Sequence, residues 1–200
     1  MISRRDFFRV SLASGVFALV ALTGCSSSAA SASASSASAA VSSSAAAPAA
    51  AAVVCFSCTG NTWGVALKIA AAAQADLVRL EAARPYSADD LNYSGDCRAN
   101  QEQNGGTARP EIAGGIPDLA KYDTIYLGYP IWWGKAPRII LTLLEGASFA
   151  GKKIVPFCTS GSSPIDGSLE ELKSSATGAT VESGKRFTTD ASDAEIKSFL

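Results

Sequence analysis

The stretch Val53-Val54-Cys55-Phe56-Ser57-Cys58-Thr59-Gly60-Asn61-Thr62 constrains the fold of this chain more than any other part of it. It opens as a short apolar run, the pattern of a buried strand, and then breaks into small hydroxyl residues around one glycine. After Thr62 the period changes: Trp63, Val65, Ala66, Leu67, Ile69 and Ala70 recur at three-to-four spacing, which predicts a helix. A strand that ends in a hydroxyl-rich loop and runs straight into a helix is built to hold a phosphate. The first backbone N–H groups of the helix have no partner within it, and the helix dipole places partial positive charge there. Ser57, Thr59 and Thr62 add O–H donors, and Gly60 admits positive φ and close backbone approach. An ordinary strand-to-helix turn with a cap would share this pattern. The loop contains neither Gly-Lys-Ser/Thr nor G-x-G-x-x-G, so it is not a Walker A loop or a dinucleotide fingerprint. With no lysine in it, it fits a monoester phosphate held by neutral donors better than a nucleoside triphosphate.

Further along, Asp76-Leu77-Val78-Arg79-Leu80 reads as a second strand, 121–129 as a third and 152–158 as a fourth. Residues 179–181 with 184–187 make a fifth. Helices are expected over 137–145, 168–175 and 191–200. Residues 84–118 carry no period and are punctuated by Pro85, Gly95, Asn104-Gly105-Gly106, Pro110, Gly114-Gly115 and Pro117. So long a loop inside a compact domain is functional or covers something. The alternation predicts an α/β fold: a doubly wound, five-stranded parallel sheet of order 2-1-3-4-5 with helices on both faces. Such a sheet binds its ligand beyond the carboxyl ends of the strands, near the first and third.

The loops at those ends carry unusual residues. After the third strand comes Tyr129-Pro130-Ile131-Trp132-Trp133-Gly134-Lys135-Ala136-Pro137. Two adjacent tryptophans in a Pro/Gly loop fit stacking on a flat aromatic ligand; a fold-back over an apolar gap accounts for one of them more readily than for both. After the fourth strand comes Cys158-Thr159-Ser160-Gly161-Ser162-Ser163-Pro164, where ligand contact and a generic polar turn are nearly even. Together these stretches resemble the flavodoxin family. Ser57-x-Thr59-Gly60-x-Thr62 resembles its FMN-phosphate loop, and Tyr129-Pro130-Ile131-Trp132-Trp133-Gly134 is the most specific part of the likeness, which covers residues 53–200. The resemblance implies FMN as cofactor, with Ser57, Cys58, Thr59, Gly60, Asn61 and Thr62 around its phosphate. It also implies that Pro130, Ile131, Trp132, Trp133 and Gly134 flank the isoalloxazine, with one tryptophan stacked on it. Thr159, Ser160 and Gly161 would approach the pyrimidine edge or the ribityl chain. The Ala108-Arg109-Pro110 triplet matches too, bringing that loop or Arg109 itself near the flavin; an arginine in a surface loop is the alternative. Cys58, where many members carry a larger residue, and the short final helix depart from the pattern.

The N-terminus is not part of this domain. Ser3-Arg4-Arg5-Asp6-Phe7-Phe8-Arg9 precedes an apolar run too short for a comfortable transmembrane helix, which fits a signal peptide over residues 1–24. The Arg pair resembles a twin-arginine signal, and Leu22-Thr23-Gly24-Cys25 resembles a bacterial lipobox, with Cys25 lipidated. Residues 25–52 are almost entirely Ala and Ser and read as a flexible tether. The expectation is a domain exported and anchored on the extracytoplasmic side of the cell membrane. Without Arg4, Arg5, Arg9 and Asp6 the chain keeps 14 basic and 17 acidic side chains, a mildly acidic balance that offers no basic patch for nucleic acid. Histidine is absent, which excludes histidine triads and mixed Cys/His zinc sites.

Lipidation of Cys25 leaves Cys55, Cys58, Cys97 and Cys158. Cys55-x-x-Cys58 has thioredoxin-like spacing but falls across a buried strand and the phosphate loop, so it reads as coincidence. Four cysteines allow three complete pairings, among which the sequence does not choose; Cys97, in the long loop, could reach the ligand face and pair with Cys58 or Cys158. For function, a tryptophan-stacked flavin in a neutral or acidic site disfavours negative charge on the reduced ring and fits one-electron transfer between redox partner proteins. An NAD(P)H-dependent flavin or quinone reductase is the alternative. It needs an open pocket over the ring, which 84–118 would build or block, and reduced nicotinamide is scarce outside the cytoplasmic membrane. A flavin-free structural lipoprotein is the third reading.

Overall fold

The computed structural model describes residues 50–200; the expected signal segment, Cys25 and almost all of the Ala/Ser tether lie outside the described residues. Six strands form one sheet: β1 Ala51–Phe56, β2 Asp76–Leu80, β3 Thr124–Pro130, β4 Lys153–Thr159, β5 Thr180–Val181 and β6 Lys185–Phe187. The order is β2-β1-β3-β4-β5, every pairing is parallel, and β6 continues beside β4 where β5 stops. The expected order holds, with the fifth strand divided in two. Among the described residues there are five helices: α1 Asn61–Ala73, α2 Arg98–Gly105, α3 Arg138–Gly146 and α4 Asp166–Ser175 between strands, and α5 Asp193–Lys197 after the last one.

The apolar run of β1 follows from burial on both faces. Ala52, Val54 and Phe56 point into one core with Ile139, Ile140, Leu143 and Leu144 of α3 and Leu172 of α4. Val53 and Cys55 point into the other, with Val65 and Ile69 of α1 and Ile196 of α5. The second core is sealed by an aromatic cluster of Phe157, Phe187 and Phe199, in edge-to-face contact at centroid distances of 5.3–6.5 Å. Phe157 needs a glycine beside it: its register partner in β3 is Gly128, where a Cβ would lie 2.3 Å from the Phe157 ring.

The break between β5 and β6 has a cause in β4. Proline has no N–H to give a neighbouring strand. Ile154 O accepts from Glu182 N at 2.9 Å, so the even-numbered residues of β4 face the fifth strand, and Pro156 falls where that strand is interrupted. There Gly184, at φ 67°, brings its backbone so close that a Cβ would sit 2.4 Å from the Pro156 carbonyl oxygen.

Residues 84–118 are more ordered than their lack of period implies. They hold a 3-10 turn at Asp89–Leu91 and the helix α2, and an antiparallel bridge between Ala82 and Ile112 closes the excursion. α2 buries only Ala99 and Gln103, too little apolar surface to leave a stripe in the sequence. The final helix is shorter than the expected 191–200 but properly started: Ser192 and Glu195 form a reciprocal capping box. Among the described residues no helix is long and apolar enough to cross a membrane, and no cluster of three His, Cys, Asp or Glu side chains is placed to hold a metal.

Candidate functional site

A cleft of about 550 Å3 lies beyond the carboxyl ends of β1, β3 and β4. Cys58, Thr59 and Asn61 line it from the first loop, Pro130, Ile131 and Trp132 from the second, and Thr159, Ser160 and Gly161 from the third. None of its lining residues is charged. The other five expected residues, Ser57, Gly60, Thr62, Trp133 and Gly134, stand behind or beside the cleft and shape the loops that line it.

At one end the β1–α1 loop presents unpaired backbone donors. Gly60 precedes α1 in the left-handed region (φ 87°) and its carbonyl accepts from Gly64 N at 2.9 Å. Its own N–H donates to Ser57 Oγ at 3.2 Å, so the Ser57 hydroxyl oxygen works inside the loop. No side chain caps the helix. The N–H groups of Asn61, Thr62 and Trp63 therefore have no intrahelical partner. The Thr62 hydroxyl, expected to face a phosphate, is instead buried (1% exposed) and pairs with Thr159 Oγ1 at 2.8 Å, where Thr159 is 6% exposed at the cleft wall. That bond ties the first turn of α1 to the end of β4.

At the other end the two tryptophans part company. Trp132 is 3% exposed and packs edge-to-face on Phe56 (5.7 Å) and Tyr86 (5.2 Å); it is a core residue with one edge on the cleft. Trp133 is 39% exposed. It occupies a two-residue hairpin turn in which Trp132 and Lys135 exchange both backbone hydrogen bonds at 2.9 Å. Trp133 (φ 48°) and Gly134 (φ 76°) both have positive φ, the signature of a type I′ turn. Left-handed backbone costs an L-residue about 1–2 kcal/mol, and a bulky one rarely adopts it. This geometry turns the Trp133 ring outward against Tyr93, which is 57% exposed, at a centroid distance of 4.7 Å.

Tyr93 and Leu91 line the cleft from the 84–118 segment, and Thr188 and Thr189 line it from the loop after β6. None of the four stands in a stretch whose sequence singles it out. Behind Trp132, the Arg98 guanidinium lies 4.1 Å above the Tyr86 ring and its Nε meets Glu102 Oε1 at 2.7 Å, while the Tyr86 hydroxyl donates to Glu102 Oε2. Burial, and then that bond to Glu102, push the Tyr86 phenol well above its ordinary range.

A family model described as flavodoxin matches residues 50–200. The chain belongs to the flavodoxin family. Two solved structures assigned as flavoproteins are 37% identical to it. The one from Bacteroides eggerthii has a TM-score of 0.71 and covers 76% of this chain and 95% of its own. The one from Bacteroides uniformis has a TM-score of 0.72 and covers 76% and 97%. A flavoprotein from Lactobacillus acidophilus, solved in complex with FMN, shares the fold at 22% identity and a TM-score of 0.57, covering 75% of this chain and 97% of its own. No curated protein matches.

All four described cysteines are free. Burial pushes the Cys55 and Cys158 thiols up to about 12. Desolvation raises Cys58 to about 11, with Arg98 opposing and Glu102 adding to it. Cys55 is buried in β1 while Cys58 is exposed in the β1–α1 loop, so the two ends of Cys55-x-x-Cys58 stand in different surroundings. Cys97 is not paired with Cys58 or Cys158; it caps α2, its Sγ accepting from Asn100 N at 3.4 Å. Arg109 is not at the cleft. It grips Glu145 in the last turn of α3 with two bonds of 2.7 and 2.8 Å, a surface clip that fastens the long segment to α3.

Proposed function

We propose that this chain is an FMN-binding electron carrier of the flavodoxin type, tethered by a lipid at Cys25 to the outer face of the cytoplasmic membrane. The observation that carries the reading is the uncharged cleft with unpaired helix N–H groups at one end and aromatic rings at the other. A cleft of this size falls within the range used by small cofactors. The residues present fit FMN. Thr59, Asn61 and the first N–H groups of α1 would hold the phosphate dianion through neutral donors and the helix dipole. The Trp132 edge, Ile131, Leu91 and Tyr93 would enclose the ring, with Trp133 positioned to close over it beside Tyr93. Thr159, Ser160 and Gly161 would lie along its polar edge. The FMN complex of the Lactobacillus acidophilus protein supports the same cofactor here. Bound there, the flavin supplies electron transfer. The protein's part is to orient the ring, keep water from its buried face and place no charge against it.

Export through a twin-arginine signal would let the domain take up FMN before crossing the membrane. A carrier fits that destination better than an enzyme that draws on reduced nicotinamide. The test is an anaerobic absorbance titration of the purified full-length protein, after FMN loading, with NADH, then NADPH, then dithionite. A flavin band that resists both nicotinamides and is bleached by dithionite is the expected result. Rapid bleaching by either nicotinamide would transfer the assignment to an NAD(P)H-dependent flavin or quinone reductase. A protein that neither carries nor binds flavin would refute both readings. For the anchor, Cys25→Ser should abolish acyl labelling and release the protein from membranes; unchanged labelling would sink that part.

A further inference from the structure

One buried polar side chain joins α2 to the turn that carries Trp133. Gln103 Nε2 donates to the carbonyl oxygens of Trp132 and Ala136, each at 3.2 Å, and its Oε1 accepts from the Arg138 N–H at 3.1 Å. Only this orientation of the amide satisfies all three groups, because the carbonyls need a donor and the N–H an acceptor. The bonds bracket the turn, one before Trp133 and one after Gly134, and reach into the start of α3. Arg138 returns the contact, donating from Nη2 to the Gln103 carbonyl at 3.1 Å. Arg138 and Lys135 both hold Glu171 Oε1, at 3.2 and 2.7 Å.

A bulky residue keeps positive φ only where its surroundings over-determine it. Around Trp133 two features do so. The Gly167 backbone packs against the Gly134 carbonyl, where a Cβ would lie 2.5 Å away. The other feature is the Gln103 amide. Because α2 follows directly on the segment that carries Leu91 and Tyr93, Gln103 also links the two exposed aromatic residues at the cleft, Tyr93 on one element and Trp133 on the other.

We propose that Gln103 is a positioning residue: its amide clamps the Trp133-Gly134 turn to α2 and thereby sets the ring-binding end of the cleft. The proposal rests on the flavin reading above, and its test separates the two. Gln103→Met, similar in volume and without the three hydrogen bonds, is compared with the wild-type full chain for binding of FMN and of riboflavin, which has the ring but no phosphate. Acrylamide quenching of Trp133 emission, identified by difference from Trp133→Phe, is measured without ligand. The clamp predicts a cooperatively folded variant with altered Trp133 quenching and a loss of affinity on the order of tenfold, as expected for buried hydrogen bonds. The loss should be equal for FMN and riboflavin, because it arises at the ring end; a general loosening of the fold would also disturb the phosphate end and weaken FMN more. Gln103→Glu, of the same size but with the donors replaced, serves if Gln103→Met does not fold. Unchanged quenching and affinity, or a loss confined to FMN, would overturn the proposal. If wild type binds neither flavin, the cofactor reading falls, and the quenching result still decides the clamp.

Discussion

The Thr62–Thr159 bond offers a quantitative test of how the phosphate loop is attached to the sheet. Both hydroxyls are buried and 2.8 Å apart, and each is the other's partner across 97 residues of chain. Replacing one by valine strands the other. An unsatisfied buried polar group costs about 1–3 kcal/mol, but the two sites are not equivalent. Thr159→Val leaves the Thr62 hydroxyl sealed beneath the loop, so its cost should lie at the upper end. Thr62→Val leaves the Thr159 hydroxyl at the cleft wall, where water can reach it, so its cost should be about 1 kcal/mol. The double variant replaces both partners by groups of nearly the same shape, which is close to neutral. Urea unfolding of the four proteins should therefore give strong coupling, with the double variant more stable than Thr159→Val alone. For a domain of this size the Thr159→Val defect corresponds to a fall in Tm of roughly 4–10 °C that Thr62→Val largely restores. A double variant as unstable as the sum of the two singles would refute the pairing. FMN affinity, measured alongside, should fall in the double variant despite its recovered stability, because the repacked pair no longer offers the Thr159 hydroxyl at the cleft wall.

Two further expectations follow from the same geometry. Trp132→Ala should destabilise the protein by about 3–5 kcal/mol, the range for a buried aromatic, whereas Trp133→Ala should leave the fold intact and restore fluorescence to bound flavin; restoration by Trp132→Ala in a folded protein, with none from Trp133→Ala, would reverse the assignment of the stacking ring. Stability should be flat from about pH 5 to 8, since the chain has no histidine, and should decline on both sides. Arg109 holds Glu145 below the usual carboxylate range, and Lys135 and Arg138 outweigh burial to do the same for Glu171; their contribution is present above the unfolded carboxylate range and is lost as pH falls below about 4. The Cys55 and Cys158 thiols, raised to about 12, contribute stability that is whole below about pH 8.5 and is lost as pH rises toward their folded values. A transition between pH 5 and 8 in a melting series would contradict this.

The fold was legible because its strands are buried on both faces. Residues 53–56 and 154–158 have to be apolar at consecutive positions, and the helices between them need an apolar stripe, so local patterns and global topology agree. The sequence was silent where structure is held by few or polar contacts. α2 folds around Ala99 and the Gln103 amide, and a glutamine in a polar run carries no signal that it is buried. The division of the fifth strand shows the same limit. Pro156 sits in what reads as an ordinary strand, and only the pairing geometry reveals that its missing N–H faces the gap between β5 and β6.

The site divides along similar lines. Residues contributed by the ends of β1, β3 and β4 were readable, because a doubly wound sheet places its ligand there and each loop breaks the apolar pattern with glycine, hydroxyls or tryptophan. Their separate roles were not. Adjacent tryptophans look equivalent in a sequence, yet the I′ turn begins between them: Trp132 closes the hairpin and faces the core, while Trp133 takes positive φ and faces outward. Tyr93 then has to come from a distant, unpatterned segment to meet Trp133. Two exposed aromatic residues on separate elements need something to fix their spacing. In this molecule the 84–118 segment that brings Tyr93 also carries Gln103, and the Gln103 amide holds both ends of the turn that presents Trp133, a polar contact lying well away from every motif that marks the cleft.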